Sequence, residues 1–380
     1  MAVQPGRRRL IGAVGGLALI ALSGCATQST RLHDTPPAGL PRRVELSTTP
    51  FHPQEDYQCG PAALAMALGA AGIPASPEVL TGQVFLPGRQ GSLQIEMLAG
   101  ARRNGALAVE IPGTLEALMQ ETAAGNPVVV LLNLGLSWAP SWHYAVVIGY
   151  DLDEGAFLLR SGPMARQVLP FSTLEHTWAR SEHWAFVALS PDRLPASADE
   201  ARSTHALVAF EKAAPPARAV LAYRKALTRW TDSLTLSLGL GNSLYRAGSL
   251  AEAETTFRKA AQQHNAAAAW NNLANILLEQ KRPGEAREAA LRAIALGGEG
   301  TPGLAFAHSA YGCYLRYRDE LDAALRAAAS RAEILRSPAF AKLLSDLRES
   351  FDYVLIDTPA ISEAADAKLV LRYADAVRLP

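Results

Sequence analysis

Residues 54–64 read QEDYQCGPAAL, and this stretch is the most informative in the 380-residue chain. Alanine and leucine from Gly60 to Ala71 predict a helix. Pro61 suits its first turn, because the N–H that proline lacks would have no partner there. Cys59 would then stand at the positive end of the helix dipole, which lowers the pKa of a thiol and supplies thiolate near neutral pH. The stretch therefore predicts a reactive cysteine.

Two glutamine side chains are close enough in sequence to Cys59 to stabilise an oxyanion that forms beside its sulfur. Gln54 lies five residues upstream and can place its amide beside the thiol, where it would donate to the developing negative charge. Gln58 is nearer, but its position next to Cys59 makes the required direction less natural. Gln54 is therefore the predicted oxyanion donor.

A thiol nucleophile needs a neighbouring base, and the chain contains eight histidines. His143 opens an apolar, β-branched run that continues to Tyr150, after a loop that carries Trp138 and Trp142. A histidine at the end of a strand can face a cleft while the strand holds its backbone in place. None of the other seven histidines has this strand context. His143 is therefore the predicted general base.

The order of the predicted elements is typical of an α+β domain. Helices are predicted at residues 60–71, 92–104 and 114–124, and apolar runs that predict strands follow at residues 128–132, 143–150, 156–159 and 184–189. Glycine, proline, asparagine and aspartate separate these runs. Helices first and an antiparallel sheet later predict an α+β fold for residues 46–192.

Together, these segments resemble the C39-like cysteine peptidase family over about Phe51 to Ala188. The resemblance implies a papain-like fold and a peptide or protein substrate. It also implies that Cys59 is the nucleophile, His143 the general base and Gln54 the oxyanion donor. No cofactor and no metal are expected.

One position departs from the pattern of that family, which usually places Asp or Asn before a proline in the next strand to orient the histidine. Here the stretch reads Leu159-Arg160-Ser161-Gly162-Pro163. Ser161 can accept a hydrogen bond from the imidazole, but it carries no charge to stabilise imidazolium. Asp151 and Asp153 are alternatives, although a turn would have to fold them back towards His143. The departure predicts an active but slow enzyme.

Residues 197–331 change to a composition of Ala, Leu, Glu and Arg that repeats about every 34 residues. The triplet Ala219, Tyr223 and Ala226 recurs as Ala253, Phe257 and Ala260, and again as Ala286, Ala290 and Ala293. Small residues at fixed helical positions let paired helices pack closely, and the period resembles that of tetratricopeptide repeats. The resemblance implies an all-α domain that binds a protein partner.

The N-terminus predicts export and a lipid anchor. Arg7 to Arg9 form a basic segment, and an apolar stretch follows that is too short to span a bilayer. It ends in Leu22-Ser23-Gly24-Cys25, which resembles a bacterial lipobox. The resemblance implies that residues 1–24 are removed as a signal peptide and that Cys25 is lipidated. It also implies that residues 25–45 form a polar tether and that the protein lies in the bacterial cell envelope, on the periplasmic face of the outer membrane.

Residues 334–380 fit neither domain. The run Phe351-Asp352-Tyr353-Val354-Leu355-Ile356-Asp357 resembles the Walker B region of bacterial tyrosine kinases and chain-length regulators. The chain contains no Gly-Lys pair, so it lacks the loop that would hold the phosphates of a nucleotide. We interpret this segment as an orphan fragment that binds no nucleotide.

Charge and cysteine content exclude further classes of protein. The chain carries 36 basic and 36 acidic side chains, and this balance disfavours nucleic acid as a partner. Its three cysteines are too few for a disulfide framework. The leading hypothesis is a membrane-anchored cysteine peptidase. The alternatives are a weakly active or inactive C39-like binding module and an envelope scaffold that acts through its repeats.

Overall fold

The computed structural model describes residues 27–53 and 58–296, together with residues 338, 341, 342 and 345. The chain divides into two compact units, residues 1–239 and residues 240–380. The predicted signal peptide, Cys25, Gln54 and almost all of the predicted Walker-B-like fragment lie outside the described residues. Within those residues, no helix is both long enough and apolar enough to cross a membrane.

The first unit contains an antiparallel sheet of seven strands in the order β2-β7-β3-β4-β5-β6, with β1 paired to β4 outside this order. The strands are β1 (Arg43–Glu45), β2 (Leu107–Glu110), β3 (Val128–Asn133), β4 (Trp142–Asp151), β5 (Ala156–Ser161), β6 (Met164–Pro170) and β7 (Ala185–Leu189). The helices before the repeats are α1 (Thr27–Asp34), α2 (Cys59–Ala70), α3 (Pro77–Val84), α4 (Gln94–Arg103), α5 (Leu115–Ala123) and α6 (Phe171–Ala179).

The core lies where helix α2 packs on the sheet. Every residue of β3 is buried, as expected for a β-branched run in the middle of a sheet. Alternate residues of β4 (Tyr144, Val146 and Ile148) join α2 residues such as Leu64 and Leu68 in one buried cluster. Burial of these side chains fixes the position of α2 on the sheet, and its first residue is Cys59. The α+β prediction is therefore confirmed.

The three helices predicted from the sequence begin and end within two residues of helices α2, α4 and α5. Thr114 caps α5, because its hydroxyl oxygen accepts a hydrogen bond from the N–H of Ala117 at 3.1 Å. Such caps can be predicted from sequence because both partners lie within one turn of the helix.

The segment predicted as a polar tether, residues 25–45, contains regular structure that the prediction did not include. Helix α1 lies against the domain because the Glu175 carboxylate accepts the N–H groups of Gln28 and Ser29, each at 2.9 Å. Strand β1 pairs with β4 and passes directly over Gly149, where a Cβ would collide with the Val44 carbonyl oxygen. Residues 27–45 therefore belong in part to the folded domain.

In the part of the chain described up to residue 296, six helices follow in three consecutive pairs: α7 (Glu200–Ala213), α8 (Pro216–Leu227), α9 (Leu234–Arg246), α10 (Leu250–His264), α11 (Ala267–Glu279) and α12 (Pro283–Leu296). The first pair is complete, although its first helix showed little of the repeat pattern. In the first unit, a Cβ at Gly239 would lie 2.6 Å from the Tyr223 hydroxyl oxygen. In the second, a Cβ at Gly241 would lie 2.8 Å from the ring of Phe257. Each aromatic ring, 34 residues from its equivalent, therefore requires glycine opposite it.

Candidate active site

Cys59 is the first residue of α2, and backbone N–H groups surround its sulfur. The preceding residue, Gln58, makes no side-chain cap, so it leaves the first N–H groups of the helix available. The N–H groups of Cys59, Gly60 and Tyr144 hydrogen-bond to the Cys59 sulfur, and each lowers the pKa of the thiol. Tyr144 directly follows His143, so the fold brings the start of β4 to the start of α2.

Burial has the opposite and larger effect on Cys59. Removal of the sulfur from water disfavours the thiolate and raises the pKa of Cys59 above its ordinary value, in spite of the three N–H groups. The sequence predicted a lowered pKa from the helix dipole alone. The structure differs because Cys59 packs against the core, which residues from distant parts of the chain complete.

His143 is the second residue of β4 and is half-buried. Its Nε2 lies 3.0 Å from the hydroxyl oxygen of Ser161, the last residue of β5. This hydrogen bond fixes the orientation of the ring and leaves Nδ1 as the nitrogen that can exchange a proton with another group. Burial lowers the pKa of His143, so the imidazole is neutral at pH 7.

The aspartates considered as alternative partners of His143 lie elsewhere. Asp151 is at the far end of β4, eight residues from His143, which corresponds to roughly 26 Å along a strand. Its carboxylate accepts the N–H groups of Asp153 and Glu154 at 2.9 and 3.1 Å and lies 3.5 Å from the Arg43 guanidinium. Asp153 pairs with Arg42. Both carboxylates therefore hold the β4–β5 turn and its neighbours.

Tyr144 is a residue of the site that the sequence reasoning did not single out. Its hydroxyl donates to the carbonyl oxygen of Ser92 at 3.1 Å. Burial raises the pKa of this phenol, and a thiolate on Cys59 would raise it further, so the ring stays neutral. The only available signal was its place next to His143. Tyr144 links the backbone at Cys59 to the segment that precedes α4.

Gly60 allows that segment to approach the helix. A Cβ at Gly60 would lie 2.7 Å from the Cβ of Ser92 and would also collide with the Ser92 hydroxyl. The hydroxyl of Ser92 is buried and has no hydrogen-bond partner among the residues that the structure describes. Glycine after Cys59 therefore leaves the room that Ser92 occupies beside the start of α2.

The structure thus pairs His143 with Ser161 and places the backbone of Tyr144, the residue after His143, at the Cys59 sulfur. The fourth predicted site residue, Gln54, and the predicted lipidation site, Cys25, lie outside the described residues. Within the described part of the chain, no three or more His, Cys, Asp or Glu side chains are grouped so that they could hold a metal ion.

Comparison with known proteins divides the chain in the same way. Residues 46–185 match the Peptidase_C39 like family, and residues 208–266 and 238–301 match the tetratricopeptide repeat. A solved structure from Bacillus anthracis, described as a C39-like peptidase, is 21% identical over 39% of this chain and 97% of that chain, with a TM-score of 0.33. No curated protein matches the chain. Residues 46–185 are therefore an α+β domain that matches the C39-like peptidase family, and helical pairs that match the tetratricopeptide repeat follow it.

Proposed function

We propose that the first domain hydrolyses peptide bonds through Cys59 and His143, and that the helical repeats bind a protein partner or substrate. One observation carries the proposal. The Cys59 sulfur accepts the N–H of Tyr144, the residue next to His143, while Ser161 holds the His143 ring. In this proposal Cys59, at the start of α2, is the nucleophile, His143 on β4 is the base, and Ser161 at the end of β5 orients that base.

The resting pair is neutral in this proposal. Burial raises the pKa of Cys59 and lowers that of His143, so at pH 7 the proton stays on sulfur. A bound peptide changes this balance, because attack on its carbonyl carbon consumes the thiolate as it forms. Nδ1 of His143 takes the proton while the sulfur–carbon bond forms and the carbonyl electrons move to oxygen.

Collapse of the tetrahedral species completes the first half of the reaction. The carbon–nitrogen bond breaks, His143 gives its proton to the departing amine, and a thioester remains on Cys59. Water then attacks the thioester with His143 as base. The carbon–sulfur bond breaks, the acid leaves and sulfur regains a proton.

The oxyanion needs donors close to Cys59. The N–H of Cys59 belongs to a helix end without a side-chain cap, so it is one candidate. The Gln54 amide is the second, proposed from its place five residues upstream. Loss of one such donor costs about 10²–10³ in rate in enzymes of this kind.

Anchoring is part of the proposal. The lipobox-like sequence before Cys25 supports lipidation there and a place on the periplasmic face of the outer membrane. Metabolic labelling with a fatty-acid probe is expected to mark the wild-type chain and leave Cys25→Ser unmarked. Equal labelling of both would remove this part of the proposal.

A binding module is the second candidate function. The neutral Ser161 and the raised pKa of Cys59 favour it, because both disfavour a preformed thiolate–imidazolium pair. In this alternative the domain would bind peptides without cleaving them.

A pooled peptide library separates the two functions. The full chain is incubated with the pool, and new termini are counted by mass spectrometry. Wild type is expected to cleave peptides, Cys59→Ala none, and His143→Ala only a small fraction. Cys59→Ser is the matched control, because it keeps the shape of the side chain. A wild type that retains peptides on a column but cleaves none would establish the binding module instead.

A further inference from the structure

Four large apolar side chains are exposed in one short segment of the catalytic domain. Leu134, Leu136, Trp138 and Trp142 are 55%, 53%, 80% and 50% exposed. The first three belong to the connection between β3 and β4, and Trp142 is the first residue of β4. We name residues 134–142 the Trp138 hairpin. Apolar side chains that cluster on a surface mark a site of contact with a membrane or another molecule.

The Trp138 hairpin is ordered by its own hydrogen bonds. Leu136 and Ala139 exchange two backbone hydrogen bonds of 3.1 Å, and the N–H of Leu134 donates to the carbonyl of Ser141 at 2.9 Å. The Asn133 side chain accepts the N–H groups of Gly135 and Ser141 at 3.0 and 2.9 Å. A backbone paired in this way can enter an apolar phase at low cost, because few of its polar groups lose a partner.

The hairpin and the start of α1 lie at the same end of the sheet. Arg180 connects α6 to the hairpin, because its guanidinium donates to the carbonyl oxygens of Asn133 and Gly135. Three residues later, His183 lies against Gly113, where an added Cβ would be 2.7 Å from the His183 Cβ. Gly113 is in turn the acceptor for the Gln28 side-chain amide of α1, at 3.3 Å.

The chain before α1 then limits the distance to the anchor. Cys25 is only three residues before Gln28, so it can lie at most about 10 Å from a residue that is fixed on the domain. A longer tether would leave the domain free to turn. With a lipid on Cys25, the docked α1 would hold this end of the sheet, with the Trp138 hairpin, close to the bilayer.

We propose that the Trp138 hairpin inserts into the bilayer interface beside the lipid on Cys25, so that the mouth of the active site faces the membrane surface. This inference rests on the proposed lipidation of Cys25. Tryptophan is enriched at this depth because its ring is apolar and its N–H can reach water or a headgroup. The exposed Arg180 at the base of the hairpin fits the phosphate of a lipid. His143 follows the hairpin directly, so substrates would be cleaved close to the bilayer.

Quenching by brominated lipid tests the insertion. The full chain is incorporated into nanodiscs of phosphatidylcholine and phosphatidylglycerol, with or without bromine on the acyl chains, and tryptophan emission is compared. Of the six tryptophans in the chain, Trp138 is 80% exposed and Trp178 is fully buried. We expect brominated lipid to quench the tryptophan emission of the wild type. In Trp138→Ser we expect most of this quenching to be lost. Trp230→Phe, in the repeats, is the matched control and is expected to be quenched like the wild type.

The possible results distinguish insertion of the hairpin from lipidation of Cys25. The intact mass of the same sample shows whether Cys25 is acylated. An acylated chain that bromine does not quench, or quenches equally in Trp138→Ser, overturns the inference. If no acyl group is found, the anchoring proposal fails. The unacylated chain is then mixed with the same lipids as vesicles. Quenching of the wild type that is lost in Trp138→Ser would support insertion of the hairpin, and equal quenching of both would overturn it. A higher KM for soluble peptides in Trp138→Ser, without quenching of the wild type, would assign the hairpin to substrate binding and also overturn it.

Discussion

At the residue scale, Ser161 is the feature that distinguishes this site. Its hydroxyl holds Nε2 of His143 at 3.0 Å, which orients the ring as an Asp or Asn would. A hydroxyl contributes no charge, however, and burial alone lowers the pKa of His143. The candidate site therefore holds the His143 ring in place without the electrostatic support that would favour imidazolium at rest.

Substitutions at Ser161 are expected to separate orientation from charge. Ser161→Ala removes one neutral hydrogen bond and should lower kcat about tenfold or less. Ser161→Asp should raise the pKa of His143, because a carboxylate favours imidazolium, and should move the acid limb of kcat/KM to higher pH. Ser203→Ala, at a buried serine in α7, is the control. An unchanged pH profile in Ser161→Asp would show that Ser161 does not act through the imidazole.

The thiol itself can be titrated. Iodoacetamide alkylation, mapped to the Cys59 peptide between pH 5 and 10, should rise with a midpoint above the ~8.5 of a free cysteine, because burial raises the pKa of Cys59. Cys313 is a reference in the same digest. A midpoint below pH 7 that shifts upwards in His143→Ala would reveal a thiolate–imidazolium pair at rest and contradict the neutral pair.

At the element scale, α1 depends on one carboxylate. The sequence of α1 has no apolar stripe, and the helix lies on the domain because Glu175 accepts the N–H groups of Gln28 and Ser29. Burial raises the pKa of Glu175, but these hydrogen bonds lower it by more, and the net direction is down. A carboxyl with a lowered folded-state pKa stabilises the fold above its unfolded pKa. This contribution is lost as the pH falls through the folded value.

We expect Glu175→Gln to release α1 while the rest of the domain stays folded. Hydrogen bonds to a charged acceptor contribute about 1.5–3 kcal/mol, so amide exchange in Thr27–Asp34 should accelerate by roughly ten- to a hundredfold. Glu182→Gln, at an exposed residue near the end of α6, is the control. Equal exchange of α1 in both variants would show that Glu175 does not hold the helix. In wild type, the same acceleration should appear as the pH falls through the lowered pKa of Glu175.

The elements that the sequence predicted are those with local signals. The composition of α2 favours a helix and that of β4 favours a strand, and the residues that end both elements can be identified in the sequence. Strand β2 has only four residues, and β6 (Met164–Pro170) is a mostly exposed edge strand without an apolar run, so neither was predicted. The docking of α1 on the domain could not be predicted, because its partner Glu175 lies almost 150 residues away. The raised pKa of Cys59 was missed for the same reason, since its burial comes from packing against a core that distant segments complete.

At the scale of the whole molecule, the chain joins a C39-like peptidase domain to tetratricopeptide-type repeats, and each could be recognised from its own pattern. Residues 334–380 stay a prediction, because they lie almost entirely outside the described residues. Truncation after Arg331 should leave peptide cleavage unchanged, and the full chain should bind no ATP in calorimetry. ATP binding that Asp357→Ala abolishes would show that the tail is a nucleotide site.

The central claim is that Cys59 carries out covalent catalysis with His143 as its base. Mass spectrometry of the intact chain, quenched with acid within milliseconds of mixing with the peptide pool, tests it most directly. We expect an acyl adduct that maps to Cys59, is absent in Cys59→Ala and forms much more slowly in His143→Ala. Cleavage without any adduct on Cys59, or an adduct that forms equally fast without His143, would contradict it.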